Sequence, residues 1–293
     1  MVCNLCPRKC GVDRKTRNGF CAAGDKIKIA RASLHEWEEP CISFKGGSGA
    51  VFFSGCSLGC VYCQNKEISR GIAGREVSDE RFYEILFELK DKGAENINLV
   101  TAAHFIERIL PVLKKAKHDG IGIPIVYNTS SYECIESIKS LDKTVDIYLP
   151  DFKYLSPEIS KKYSFAEDYP DIAKAALDEM VKQRGACVFD KFGKLMSGVV
   201  VRHLVLPGHI GEAKRVVRYL HDKYGDDIYI SIMSQYTPLL ENCEYKNLLR
   251  RVKKEEYERV VDYAVGIGVK NAYIQDGSAA EESFIPQFDC EGV

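Results

Sequence analysis

Residues 50–63 read Ala50-Val51-Phe52-Phe53-Ser54-Gly55-Cys56-Ser57-Leu58-Gly59-Cys60-Val61-Tyr62-Cys63. An apolar run of strand length feeds directly into three cysteines spaced C-x3-C-x2-C. Three thiolates in one tight loop can ligate three irons of a [4Fe–4S] cluster and leave the fourth iron open. Clusters that only carry electrons are normally closed by four cysteines, so an open corner points to an exchangeable ligand. Zinc would ask for a fourth ligand in tetrahedral geometry, and no residue near the loop offers an obvious one. Barrel enzymes build their active sites at the C-terminal ends of strands, which is where this loop sits.

Outward from the loop, short apolar runs alternate with amphipathic segments. Strands are expected at Ala50–Ser54, Asn96–Val100, Ile123–Asn128, Val145–Pro150, Val199–Leu206, Tyr229–Met233 and Asn271–Ile274. Helices are expected between them at Asp79–Lys92, Phe105–His118, Tyr132–Ser140, Asp171–Arg184, Glu212–Lys223 and Lys254–Gly266. Such alternation argues for a parallel sheet with crossover helices. The count suits an α/β partial (β/α)6-type barrel with one extra edge strand, and an open doubly wound sheet is the alternative. Gly46-Gly47-Ser48-Gly49 reads as a turn or hinge. It divides a Cys-rich module, residues 1–45, from the barrel, residues 46–293.

Composition narrows the function classes. The chain has 293 residues, 45% hydrophobic, with a formal net charge of −1 and both signs interspersed. That suits one globular domain with a small appendage. No basic stripe announces nucleic acid. No stretch reads as a signal peptide or as an apolar run long enough to cross a bilayer, so a cytoplasmic protein is expected. Twelve cysteines in such a chain read as metal ligands and reduced thiols rather than disulfides.

Cys3, Cys6, Cys10 and Cys21 form a second constellation, which satisfies either tetrahedral zinc or a closed auxiliary [4Fe–4S] cluster. A short polar segment without its own core can draw its folding free energy from such a metal. Cys134, Cys187, Cys243 and Cys290 read as buried or bystander thiols. Cys41 is expected near the barrel mouth, with Glu36 and Glu39 there as solvated carboxylates or substrate contacts. Trp37, the sole tryptophan, is expected to pack the small module onto the barrel.

The strand ends are polar: Tyr127-Asn128-Thr129-Ser130, Leu149-Pro150-Asp151-Phe152-Lys153, Arg202-His203, Ser231-Ile232-Met233-Ser234-Gln235 and Gln275-Asp276. Clustering of this kind across strand ends reads as a site. The stretch Phe53–Asn65, the Asn128-Thr129-Ser130 turn, Asp151-Phe152-Lys153, Arg202–Gly208 and Met233-Ser234-Gln235-Tyr236 together resemble the radical S-adenosylmethionine (SAM) superfamily. Within it they look like the pyruvate formate-lyase activating enzyme-like family.

The resemblance implies that the SAM amino and carboxylate groups occupy the open corner of a cluster on Cys56, Cys60 and Cys63. An electron then breaks the S–C5′ bond, and a 5′-deoxyadenosyl radical takes a hydrogen atom from substrate. It also implies roles for single residues. Tyr62 lies beside the adenine. Asp151 helps hold a monovalent cation next to the SAM carboxylate, with Asn128, Thr129 and the Leu149 carbonyl as neighbours. Lys153 and Arg202 face anionic groups, His203 faces the ribose or adenine, and Ser231 completes the cofactor pocket. The family's Gly-Gly-Glu-Pro type turn is replaced here by Asn98–His104, so Asn98, Thr101 or backbone carbonyls are expected to take over the contact to the SAM amino group.

Three functions are compatible with parts of this pattern. An iron–sulfur electron carrier fits poorly with the open-corner spacing and the polar strand ends. The favoured reading is an enzyme acting on a small-molecule substrate, with queuine lyases, which release a deazaguanine precursor base, as its most specific form. The alternative is an activating enzyme that installs a glycyl radical on a partner protein. Either implies a one-electron donor such as flavodoxin or ferredoxin.

Overall fold

The structure is a computed structural model that describes residues 2–240, 244–275 and 286–293. Its strands are β1 (Ile27–His35), β2 (Ser48–Phe53), β3 (Arg75–Val77), β4 (Ile97–Val100), β5 (Ile125–Thr129), β6 (Ile147–Pro150), β7 (Val188–Phe189), β8 (Leu195–Leu204), β9 (Tyr229–Met233) and β10 (Ala272–Ile274). The sheet order is β10-β9-β8-β6-β5-β4-β2-β1-β3, and β7 pairs only with β8. From β2 to β10 every neighbouring pair on that path is parallel, and each strand lies beside the next parallel one in sequence. A doubly wound sheet reverses direction at a switch point. This one never does, so the sheet is singly wound like a barrel, and among the described strands its two ends stay unpaired.

All seven expected parallel strands form, and so do the expected helices: Asp79–Asp91, Ile106–His118, Ile135–Ser140, Tyr169–Arg184, Ile210–Tyr224 and Lys254–Gly266. The Gly185–Gly198 stretch makes the β7–β8 hairpin. A further helix, Pro157–Ser164, carries a start signal in Ser156-Pro157: the Ser156 hydroxyl accepts from Ile159 N–H, and proline occupies the first turn.

Two antiparallel strands, β1 and β3, extend the sheet beyond β2. β1 lies within the first forty-five residues yet joins the barrel sheet, so the longest part of that segment without helix or extended strand is 2–26. Its alternation was obscured because the register slips between Ile29 and Arg31 and because Ala30 and Ala32 carry little apolar signal.

Side-chain alternation sorts the parallel strands into two layers, as expected for strands buried on both faces. Ile125, Tyr127, Val199 and Val201 pack outward against the helices in the main core. Val126, Ile147, Leu149, Leu195 and Val200 face inward, where Cys41 and Ile42 join them. Those two residues belong to the short helix Pro40–Ser43 in the β1–β2 connection. That connection therefore plugs the barrel floor. Cys41, expected near the mouth, is buried in this inner cluster, where desolvation pushes its thiol up to about 12. Among the described residues, no helix is long and apolar enough to cross a membrane.

Candidate active site

The cysteine loop begins where β2, buried along its whole length, ends at Phe53. Gly55 has φ +102, and a Cβ there would stand 2.5 Å from the Cys21 carbonyl oxygen and 3.0 Å from His104 Nε2. Only glycine meets both demands. Cys56 N–H then donates to the Cys21 carbonyl at 3.1 Å, and Leu58, fully buried, pins the loop to the core. The Cys56 sulfur accepts from Leu58 N–H at 3.4 Å, and Cys60 Sγ accepts from the Ser164 hydroxyl at 3.0 Å. Ser164 also bonds the Tyr154 hydroxyl (2.8 Å), which in turn bonds Tyr62 (2.6 Å). Burial pushes the Cys60 thiol up and the Cys63 thiol up to about 12. A metal would reverse this, because a coordinating thiol is deprotonated outright.

Cys56, Cys60 and Cys63 line one cavity of about 710 Å3, and no other cysteine of the described residues does. Three thiols with no fourth match the donor set of an open-cornered cluster. Above them stand Asp151 and Lys153 from the end of β6, and Arg202 from β8. Lys153 Nζ and Arg202 Nε each hold one Asp151 oxygen, both at 2.8 Å. Burial alone would raise the Asp151 carboxyl, but Arg202 and Lys153 outweigh it and lower its pKa. Burial likewise opposes the Lys153 charge, and Asp151 followed by the Cys60 thiol raises it to about 12.

Arg202 is fully engaged. Its remaining nitrogens donate to Asn128 Oδ1 at 2.7 Å and to Glu38 at 3.2 Å. The guanidinium therefore organises the cavity wall. Asp151, with each oxygen held by a protein cation, is a less negative neighbour for a monovalent cation than its sequence suggested.

Tyr62, Asn128, Thr129, Asp151, Lys153, Thr101 and Arg202 all reach the cavity. Thr129 does so while its hydroxyl donates at 2.6 Å to Glu133, a buried carboxyl raised by desolvation to about 7. Thr101 holds φ +61, a left-handed conformation that is an outlier for a β-branched residue. It falls within the stretch that replaces the glycine-rich family turn. Asn98 and Ser231 face inward below the cavity lining, Asn98 donating to Glu38 at 3.0 Å.

His203, expected to face the ribose or adenine, does not line the cavity. It follows Arg202 on the same strand, so alternation turns it outward. There it is buried, bonds the Phe152 carbonyl at 2.8 Å, and is held neutral by desolvation. Gln235 and Gln275 reach the cavity, whereas Asp276 and Cys243 lie outside the described residues.

The β1–β2 connection supplies what the strand-end motifs did not foretell. His35, Glu36, Trp37, Glu38 and Glu39 all line the cavity. Trp37, expected to pack the small module, lines the cavity with 62% of its surface exposed. A run of three carboxylates just before a barrel strand was the available signal.

The N-terminal quartet is docked against the cysteine loop. Cys6 and Cys21 are buried, and desolvation raises both thiols, Cys6 to about 12. Cys10 and Cys21 sulfurs lie 3.3 and 3.5 Å from the point where a Gly19 Cβ would sit, so these thiols are neighbours. Among the described residues, no three His, Cys, Asp or Glu side chains close around a single-ion position. Arg8, inside the quartet, donates to the carbonyls of Ser57, Leu58, Ser164 and Phe165. Arg14 adds bonds to the carbonyls of His104 and Gly24.

Residues 50–220, more than half of the chain, match the family model of the radical SAM superfamily. The protein belongs to the radical SAM superfamily. An uncharacterized protein of Methanocaldococcus jannaschii is 28% identical over 269 residues, covering 89% of this chain and 74% of the relative. Among solved structures, the FeFe-hydrogenase maturase HydG of Carboxydothermus hydrogenoformans superposes with TM-score 0.51 at 13% identity, over 78% of this chain and 53% of HydG. Streptococcus suis SuiB bound to its precursor peptide SuiA gives 0.50 at 11% identity, over 76% of this chain and 47% of SuiB. The chain thus spans about half of each. At such identity these likenesses speak to the fold alone, and they agree with the partial barrel. Membership implies a [4Fe–4S] cluster and SAM, and the open trio of thiols in this radical SAM enzyme fits that requirement.

Proposed function

We propose that this radical SAM enzyme acts on a small-molecule substrate held beside SAM in the 710 Å3 cavity. One observation carries the reading: the β1–β2 connection fills the barrel floor and adds its own residues to the wall, leaving a cavity of ligand size that is closed below and partly open at its mouth. Enclosure suits radical chemistry, because excluding water and other hydrogen donors suppresses side reactions. When bound, the cluster and SAM supply a one-electron cleavage that yields methionine and a 5′-deoxyadenosyl radical able to abstract hydrogen.

The chain's own residues have separate tasks in this scheme. Cys56, Cys60 and Cys63 hold the cluster, and Ser164 steadies the Cys60 sulfur through its hydroxyl. Lys153 offers a cation toward the SAM carboxylate while tethered by Asp151. Asn128 and Thr101 supply polar contacts at neighbouring strand ends, and Tyr62 supplies an aromatic wall for the adenine. The Asp151 oxygens already held by Arg202 and Lys153 favour those cations over a bound monovalent metal. A zinc ion or second cluster on Cys3, Cys6, Cys10 and Cys21 would fasten the module to the cysteine loop, and metal analysis of a Cys3/Cys6 double variant distinguishes the two. Flavodoxin or ferredoxin is the class of electron donor expected.

The most specific form of this reading is a lyase that releases a deazaguanine precursor base from queuine, and it rests on family resemblance. The test is anaerobic reconstitution followed by measurement of 5′-deoxyadenosine with queuine and other small molecules. Stimulation by a small molecule supports the proposal. A glycyl radical formed on a partner protein, with no small-molecule stimulation, would sink it.

A further inference from the structure

Glu38 and Glu39 stand side by side in the cavity but differ in their surroundings. Glu38 accepts from Asn98 at 3.0 Å, from Asn128 at 3.4 Å and from Arg202 at 3.2 Å, so it is fixed and satisfied. Glu39 is only 7% exposed and lines the cavity. Among the described residues its carboxylate makes no ion pair at contact distance. The fully buried Ser231 hydroxyl lies beside it, yet without a hydrogen bond of ordinary geometry to Glu39 or to anything else described. Asn98 Oδ1, next to Glu38, is also buried and unpartnered. Leaving buried polar groups unpaired is costly; Ser231 and Asn98 lie just below the lining, and Glu39 is the nine-tenths-buried carboxylate of this set that reaches the cavity without an ion-pair partner, which points to donors supplied by a ligand.

The charge around the set defines which donors. Arg202 spends all three of its nitrogens on Asp151, Glu38 and Asn128, and Lys153 is paired with Asp151. His35, also in the lining, is kept neutral by burial. Among the described residues no lining lysine or arginine is without a carboxylate partner, while Glu36, Glu38 and Glu39 all face the cavity.

We propose that Glu39, with Ser231 beside it and Glu38 holding the wall, binds an N–H donor edge of the substrate: a protonated amine or an amidine-type group. Two N–H donors on one positively charged carbon–nitrogen unit match a carboxylate's two oxygens. Burial raises the Glu39 carboxyl, with Arg202 offsetting only part of the effect, so a bound cation would restore its charge. The inference rests on the small-molecule reading of the cavity and narrows its substrate class.

The test uses the reconstituted protein with SAM, and benzamidine and butylammonium against benzoate and butyrate as probes in ligand-observed NMR. The basic probes are expected to bind and the acidic ones to fail. Glu39→Gln, an isosteric change, is expected to weaken benzamidine binding about tenfold or more, the loss of one charge-assisted contact. Its melting temperature is expected to hold or rise, because the amide removes a desolvated carboxyl; a merely structural Glu39 would lower it. Should Glu39→Gln not fold, Ser231→Ala is read instead, with a several-fold weakening expected. Preferential binding of benzoate, or equal benzamidine binding by wild type and folded variant, would overturn the proposal. Failure of the underlying reading looks different: no small molecule would stimulate 5′-deoxyadenosine formation, and a glycyl radical would form on a partner protein instead.

Discussion

Arg8→Ala is expected to loosen the cysteine loop without touching a ligand. The guanidinium bridges the N-terminal quartet to the carbonyls of Ser57 (2.9 Å), Leu58 (3.1 Å), Ser164 (2.8 Å) and Phe165. It also lies 4.2 Å from the Phe20 ring centroid and 5.1 Å from that of Tyr132. Hydrogen bonds to a charged group are worth about 1.5–3 kcal/mol each. One side chain makes all four, and water can reach its outer edge, so the bonds do not add, and a net loss of about 3 kcal/mol is expected. That corresponds to roughly a hundredfold rise in local opening.

Hydrogen exchange reads this directly. Cys56 N–H is protected by the Cys21 carbonyl and Val61 N–H by the Tyr163 carbonyl, both on segments that Arg8 ties to the loop. Those two amides should exchange about a hundred times faster in the variant, while Val200 and Val201 in β8 stay protected. Arg8→Lys should recover only part of the protection, because a point charge cannot span four carbonyls. Unchanged exchange at Cys56 and Val61 would refute the idea that the module clamps the loop.

Two further outcomes follow from strained or desolvated groups. Glu133 rises from 4.5 to about 7 through burial, so the folded state holds its proton where the unfolded state has released it, and stability falls as pH climbs through that window. The cost is fully developed above the folded value at about 3 kcal/mol. Glu133→Gln keeps an acceptor for Tyr127 and Thr129, and its advantage in melting temperature over wild type should therefore grow between about pH 5 and pH 8. A constant difference would show that Glu133 does not titrate there. Thr101→Gly should relieve the positive φ and raise the urea-unfolding free energy by about 1 kcal/mol, net of the added chain entropy, whereas a loss would show the backbone is not strained.

The cysteine loop and all seven parallel strands were legible because apolar runs and ligand spacing are local properties. Which face of a strand turns inward is not local. In a sheet buried on both sides, Arg202 and His203 carry the same signal, and only the curvature of the sheet sends one to the cavity and the other to the helices. β1 was hidden by its register slip and its alanines. Glu36 and Glu39 read as solvated carboxylates or substrate contacts and Glu38 was not singled out, since nothing in the sequence reveals that Cys41 and Ile42 enter the barrel interior and draw these residues to the cavity. The spacing of the four cysteines in the first twenty-one residues was legible, but the attachment of that segment to the cysteine loop through Arg8 required the tertiary structure.

The central claim is that three thiols at the end of β2 hold a cluster whose open corner takes SAM. It is tested most directly by reconstituting the protein with iron and sulfide without oxygen, reducing it with dithionite, and following SAM by chromatography. The account predicts 5′-deoxyadenosine and methionine from the wild-type protein, and neither from a Cys60→Ser variant that still folds and keeps any metal at its N-terminal quartet. Cluster-loaded wild-type protein that leaves SAM intact, or a Cys60→Ser variant that cleaves it equally well, would contradict the account.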